Sequence, residues 1–115
     1  MRVSNPRAAS VPPFIEVDMV PTLEELRAQC RIDTDEEDNL LTTYAKAARQ
    51  RAENFINRPL FDDRVPDDMS EGLVITDDIK LAIMLAVGHW YENREGVALP
   101  GGFKMLLEPY RYIPL

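Results

Sequence analysis

Ile79-Lys80-Leu81-Ala82-Ile83-Met84-Leu85-Ala86-Val87-Gly88-His89-Trp90-Tyr91-Glu92-Asn93-Arg94-Glu95 is an almost wholly apolar run that closes on four polar residues. From Ile79 to Tyr91 the sole charged residue is Lys80, and the run holds the only tryptophan and the only histidine of the chain. Thr76-Asp77-Asp78 supplies caps and first-turn acids, so the pattern predicts a helix over about 77–94, ended by Gly96. A helix apolar on every side has to be covered on more than one face. In a chain of 115 residues few other elements exist to do so, which points first to assembly with other copies.

The flanking segments read as further helices. Thr22-Leu23-Glu24-Glu25 is a capping box opening a short helix, with Leu23, Leu26 and Cys30 on one face and an end near Arg31. Asp33 or Thr34 then caps a second helix over about 35–57. Its stripe is Leu40, Leu41, Tyr44, Ala45, Ala48, Ala52 and Phe55, where the alanines permit close approach of another helix. Asn57 suits a left-handed helix end and Pro59 blocks continuation. Beyond the central helix, Pro100-Gly101-Gly102 reads as a turn or hinge, and Phe103, Leu106 and Leu107 as a short last helix broken before Pro109. Strand signal is weak: Gly72-Leu73-Val74-Ile75 is expected to pair with Phe61–Val65 as a small hairpin. The expected fold is therefore mainly α, a bundle of three to four helices with room for that hairpin. Residues 1–18, with Pro6, Pro12 and Pro13 and no periodicity, read as an extended arm before a single domain over 19–115.

Size and composition narrow the class. A chain of this length builds one modest core, and 45% hydrophobic with 29% charged residues is ordinary for a globular domain. No run approaches the roughly 20 apolar residues of a membrane span, and no apolar segment follows Arg2 and Arg7 to make a secretory signal. The single cysteine, Cys30, cannot form an intramolecular disulfide; its spacing makes it a core residue in a reducing compartment.

The formal charge of −7 is concentrated in one place. Between Phe61 and Asp78 stand Asp62, Asp63, Asp67, Asp68, Glu71, Asp77 and Asp78 against Arg64 alone, a net of −6. Such a surface repels a nucleic-acid backbone. The plain reading is a solvated loop; the sharper one is an acidic wall along which DNA does not stick.

Catalytic constellations are missing from the residues. His89 has no partner motif and sits among apolar neighbours, and without a second histidine or further cysteines there is no zinc ligand set. Asp33-Thr34-Asp35-Glu36-Glu37-Asp38 resembles a calcium loop only in part, because Asp38 stands where a glycine is needed and Tyr44 where a bidentate glutamate belongs. Helix capping accounts for those acids. Arg49, Arg51 and Arg58 read as solvated helix surface and ion-pair partners. The expectation is a protein that is not an enzyme and takes no cofactor or metal.

At this point the residues carry a resemblance. Thr22-Leu23-Glu24-Glu25-Leu26, Arg31-Ile32-Asp33, Ala52-Glu53-Asn54-Phe55-Ile56-Asn57-Arg58-Pro59-Leu60, Ile79-Lys80, His89–Glu95 and Leu106-Leu107-Glu108-Pro109-Tyr110-Arg111 follow in an order similar to the head–tail connector family of tailed bacteriophages. The resemblance runs from about Met19 to Arg111, with the run around Trp90 its most specific part. It leaves the arm outside, so Met19 is an alternative start. It also implies a longer, strand-rich insertion that this chain reduces to the acidic connection.

The resemblance implies a helical subunit forming a ring of about a dozen copies beneath the portal protein. Such a ring extends the DNA channel without binding DNA specifically and docks a stopper or tail-completion protein. Its place would be the head–tail junction of the virion, after assembly in the host cytoplasm. Under it, the Leu40–Phe55 stripe packs on Ile79, Ile83, Ala86 and Trp90 as the subunit core. Leu81, Met84, Leu85 and Tyr91 face the last helix or a neighbouring subunit, and Glu92, Arg94 and Glu95 pair with Arg49 or Arg51 across the joint. Tyr110, Arg111, Tyr112, Ile113, Pro114 and Leu115 form an apolar end for gripping the portal, and Asp62, Asp63, Asp67, Asp68 and Glu71 an acidic lumen or loop. Two other classes stay open on the residues alone: a small helical adaptor or antitoxin-like module acting as a dimer, and an enzyme subunit completed by another chain.

Overall fold

The computed structural model describes residues 19–96 and 98–113, so the arm expected over residues 1–18 lies outside the described residues, as do Pro114 and Leu115. The first helix, α1 (Leu23–Cys30), begins with the capping box its sequence predicts. Thr22 Oγ1 accepts from the Glu25 N–H at 3.1 Å, and Glu25 Oε1 accepts from the Thr22 N–H at 2.9 Å. It ends at Arg31, held left-handed at φ 60°.

The second helix, α2 (Asp38–Ile56), starts later than the sequence suggests. Neither Asp33 nor Thr34 caps it, and Glu37 at the N-cap makes no side-chain cap bond. The reason is tertiary. The Asp38 carboxylate is held by the Arg27 guanidinium of α1, at 2.9 Å to Nε and 2.5 Å to Nη2, while Glu37 accepts from Tyr91 and Arg94. Acids that look like caps are instead bolts between helices. The other end follows expectation: Asn57 adopts φ 59° and donates to the Glu53 carbonyl at 2.8 Å, with Pro59 beyond.

Two short strands, β1 (Leu60–Phe61) and β2 (Leu73–Val74), pair in parallel, Leu60 beside Leu73 and Phe61 beside Val74. This corrects the expected hairpin. A hairpin closes through about two to five residues, whereas the connection here runs through Pro66 and two turns before returning in the same direction. Arg58 fixes the return, donating to the carbonyls of Glu71 at 2.9 Å and Gly72 at 3.4 Å. Gly72 has no room for a side chain: a Cβ there would lie 2.6 Å from Val65 and 2.8 Å from Phe61.

The central helix, α3 (Asp77–Glu92), is capped by Thr76, whose Oγ1 accepts from the Ile79 N–H at 3.3 Å. It stops at Asn93 rather than at Gly96: both the backbone and the side-chain N–H of Asn93 bond the His89 carbonyl at 2.9 Å. The last helix, α4 (Gly101–Leu107), contains Gly101 and Gly102 in its first turn, so the expected hinge is helical. Gly102 lies against Leu85, whose methyl is 3.4 Å from where a Cβ would stand, an ordinary packing distance. A 3-10 turn, Glu108–Tyr110, follows, with Pro109 at its start where a missing N–H does no harm.

The apolar helix is covered largely by its own subunit. Leu41, Ala45, Ala48, Ala52 and Ile56 of α2 are buried with Ile79, Ala82, Ile83, Ala86, Val87 and Trp90 of α3. Leu26 of α1, Leu60 of β1, Ile75, and Phe103 and Leu107 of α4 complete that core. The α2 stripe is rotated from its expected centre, since Leu40, Tyr44 and Phe55 are only half-buried. Cys30 is half-buried too, at the core's edge, and burial pushes its thiol above the usual range. The fold is a small, mainly α bundle.

One ion pair fastens α1 to α3: Lys80 Nζ lies 2.8 Å from Glu25 Oε2. Lys80, then the Thr22 N–H, hold the Glu25 carboxyl below its usual range. A depressed carboxylate contributes stability that is full above its unfolded pKa of about 4.3 and is lost as pH falls through the folded value. Glu25→Gln is therefore expected to flatten the loss of stability below about pH 4.3 while keeping the cap acceptor. Urea unfolding of both proteins from neutral pH downward checks this, and parallel acid limbs would contradict it.

Candidate assembly surface

The sequence-derived interface residues fall into three settings. Leu81 is 46% exposed on α3, while Met84 and Leu85 on the same face are half-buried, Leu85 beside Gly102 of α4. Met105 on α4 is more exposed still, at 77%. The two helices pack on one another, so the subunit presents apolar side chains from both. Met105 escaped the reading of sequence, although its signal was there: with Phe103 and Leu107 turned inward, the residue between them points outward.

The second setting is the end of α3. The Tyr91 hydroxyl donates to Glu37 Oε2 at 3.2 Å, Arg94 Nη2 donates to Glu37 Oε1 at 3.1 Å, and the Arg94 guanidinium lies 4.9 Å over the Tyr91 ring. Glu37 pushes the phenol above its usual range. Trp90 donates to the Ala98 carbonyl at 3.0 Å and packs at 5.9 Å against Tyr44. Arg94 thus has a partner in its own chain, whereas Glu92 and Glu95 are exposed. Nothing in the local sequence announced Glu37, because the pairing joins residues far apart in the chain. His89 is half-buried.

Arg49 is likewise engaged internally. Its Nη1 lies 2.6 Å from Asp62 and its Nη2 donates to the Leu60 carbonyl at 2.6 Å, so it braces β1 against α2. Arg51 is exposed. Of the acidic connection, Asp62 is taken by Arg49, while Asp63, Asp67, Asp68 and Glu71 are exposed. Four carboxylates facing water keep that surface strongly negative.

The C-terminal end lies on its own subunit as far as it is described. The Tyr110 hydroxyl donates to Asp78 at 3.1 Å and accepts from Thr76 at 3.2 Å, Arg111 stacks 4.8 Å over Phe55, and the Tyr112 N–H donates to the Ile56 carbonyl at 2.8 Å. Past that anchor Tyr112 and Ile113 are 42% and 59% exposed.

A cavity of about 590 Å³ opens between α1 and α2, with Met19, Val20, Leu23 and Ala45 as apolar lining and Asn39, Thr42, Lys46, Arg49 and Asp62 around it. Among the described residues no group of His, Cys, Asp and Glu side chains is arranged to hold a metal ion, and no helix is long and apolar enough to cross a membrane.

No curated protein and no solved structure matches the chain. The family model of the phage gp6-like head-tail connector protein matches residues 21–111, from the residue before the first capping box to the residue that stacks on Phe55. That span takes in every helix and both strands described above, and the chain belongs to the phage gp6-like head-tail connector family, whose role is structural.

Proposed function

We propose that the protein assembles as a ring of about a dozen copies beneath the portal protein, extends the DNA channel and docks a stopper or tail-completion protein. The observation that carries this reading is the family match over residues 21–111. The surface is consistent with it. A ring uses heterologous contacts, one patch on each subunit meeting a different patch on the next. Leu81 on α3 and Met105 on α4 are exposed apolar side chains, with Met84 and Leu85 half-buried on the Leu81 face, and these positions are our candidates for the apolar part of such a contact. Arg51, Glu92 and Glu95 are exposed charges able to pair across the joint, and Tyr91 and Arg94 frame its edge. Asp63, Asp67, Asp68 and Glu71 face the channel or its mouth and keep DNA sliding rather than bound. Tyr112 and Ile113 reach toward the portal from the anchored Tyr110–Arg111 turn, with Pro114 and Leu115 beyond.

The test is light scattering coupled to size exclusion across a wide concentration range, with electron micrographs of any large species, alone and with portal protein added. A particle with a central hole is the expected result in at least one condition. A concentration-independent dimer that ignores the portal would move the protein to the adaptor class, and a monomer in both conditions would end the ring reading.

A further inference from the structure

The groove between α1 and α2 has a feature that the connector reading does not use. Its apolar lining includes Met19 and Val20, the first described residues, and the backbone bends at both before entering α1. The segment that precedes them therefore joins the fold at the groove itself. Within that segment lies Val11-Pro12-Pro13-Phe14-Ile15, the most apolar run of residues 1–18, followed by Glu16 and Asp18. At the groove, Arg49 is matched by Asp62 and Asp38 by Arg27, whereas Lys46 is exposed and makes no ion pair among the described residues. The groove thus combines an apolar lining with one spare positive charge. The segment combines an apolar run with adjacent carboxylates.

We propose that Val11–Ile15 of the same chain seats in this groove, with Phe14 and Ile15 against Met19, Val20, Leu23 and Ala45 and Glu16 toward Lys46. The size agrees: about 590 Å³ is within the range of pockets that accept a few side chains. The reach agrees as well, since the five residues from Phe14 to Met19 span at most about 17 Å when extended. A tether that short gives an effective concentration of order millimolar, which favours the chain's own segment over a neighbour's. Pro12 and Pro13 restrict the backbone before docking, lowering the entropy lost on seating. The seated segment would clamp α1 onto α2 alongside the Arg27–Asp38 pair.

Disulfide trapping in the full chain tests this. Cys30→Ser removes the native thiol, and Ile15→Cys with Thr42→Cys places one cysteine in the segment and one at the groove. An intramolecular disulfide on mild oxidation is expected, read as a faster monomer band on a non-reducing gel. Adding Phe14→Ser is expected to lower its yield several-fold, and Met105→Cys in place of Thr42→Cys to give almost none. Thr42 and Met105 lie outside the buried core and Cys30 only at its edge, and circular dichroism is expected to report an unchanged fold. The proposal is overturned if no intramolecular disulfide forms, or if Phe14→Ser leaves the yield unchanged. It is equally overturned if Met105→Cys traps as well as Thr42→Cys. A disulfide formed only between chains, rising with protein concentration, would also overturn it and give the groove to a neighbouring copy.

Discussion

Leu81→Glu combined with Met105→Glu is expected to abolish assembly while leaving the subunit folded. Both side chains are exposed in the subunit, at 46% and 77%, so replacing them changes little inside it; surface substitutions of this kind usually fall within about 0.5 kcal/mol. In an assembled ring the same positions would carry an unpaired carboxylate into an apolar contact, which costs several kcal/mol unless the group is neutralised or re-solvated. The cost recurs at every joint, so a closed ring should be lost outright. Met84 is a poorer probe than its neighbours. It is half-buried against the core, and a charge there would confound misfolding with failed assembly. Size exclusion with light scattering, beside a thermal melt, separates the cases. Loss of the large species with an unchanged melt supports the patch as an interface. A ring that survives the double substitution would place the joint elsewhere on the subunit.

The second large effect concerns the subunit itself. Phe103→Ala is expected to destabilise the fold by about 3–5 kcal/mol, the range for removing a fully buried phenylalanine. Phe103 is completely buried, and α4 is a short helix whose own hydrogen bonds could not sustain it in isolation. Its attachment rests on Phe103 and Leu107, with Gly102 against Leu85. Since a domain of this size has a total stability of about 5–15 kcal/mol, the loss is a large share. The melting temperature should fall by more than about 10 °C, and hydrogen exchange should be accelerated first along α4 and in the Ala98 segment that accepts from Trp90. A loss below about 1 kcal/mol would mean that α4 is not held by this residue.

The local signals in the sequence were good guides wherever the deciding interaction is local. Thr22 with Glu25, Thr76 with Ile79, and Asn57 ahead of Pro59 bond or bend within a few residues, and each does what its position suggests. Periodicity likewise sufficed for helix existence and for the general inward side of α2 and α3, because burial follows the 3.6-residue repeat. Packing nonetheless turned the α2 stripe, so that Ile56 is buried and Leu40, Tyr44 and Phe55 only half so. The same reasoning overstated the exposure of the apolar helix. Its coverage by α1, α2 and α4 together depends on how short elements pack, and no single stretch encodes that.

The class of the fold, the helix ends whose caps are local, and the family are all legible in the linear order of residues. The other features depend on long-range packing. Asp38 and Glu37 became ties to Arg27, Tyr91 and Arg94 instead of caps, and the start of α2 moved accordingly. Arg49 turned inward to Asp62 and the Leu60 carbonyl, and Arg58 pins the Glu71 and Gly72 carbonyls just ahead of β2, which pairs in parallel with β1. Met105 was left standing outside the core. In each of these pairings the partner is distant in sequence. A charged or apolar side chain has several nearly equivalent local options, and only the packing of the whole chain selects among them.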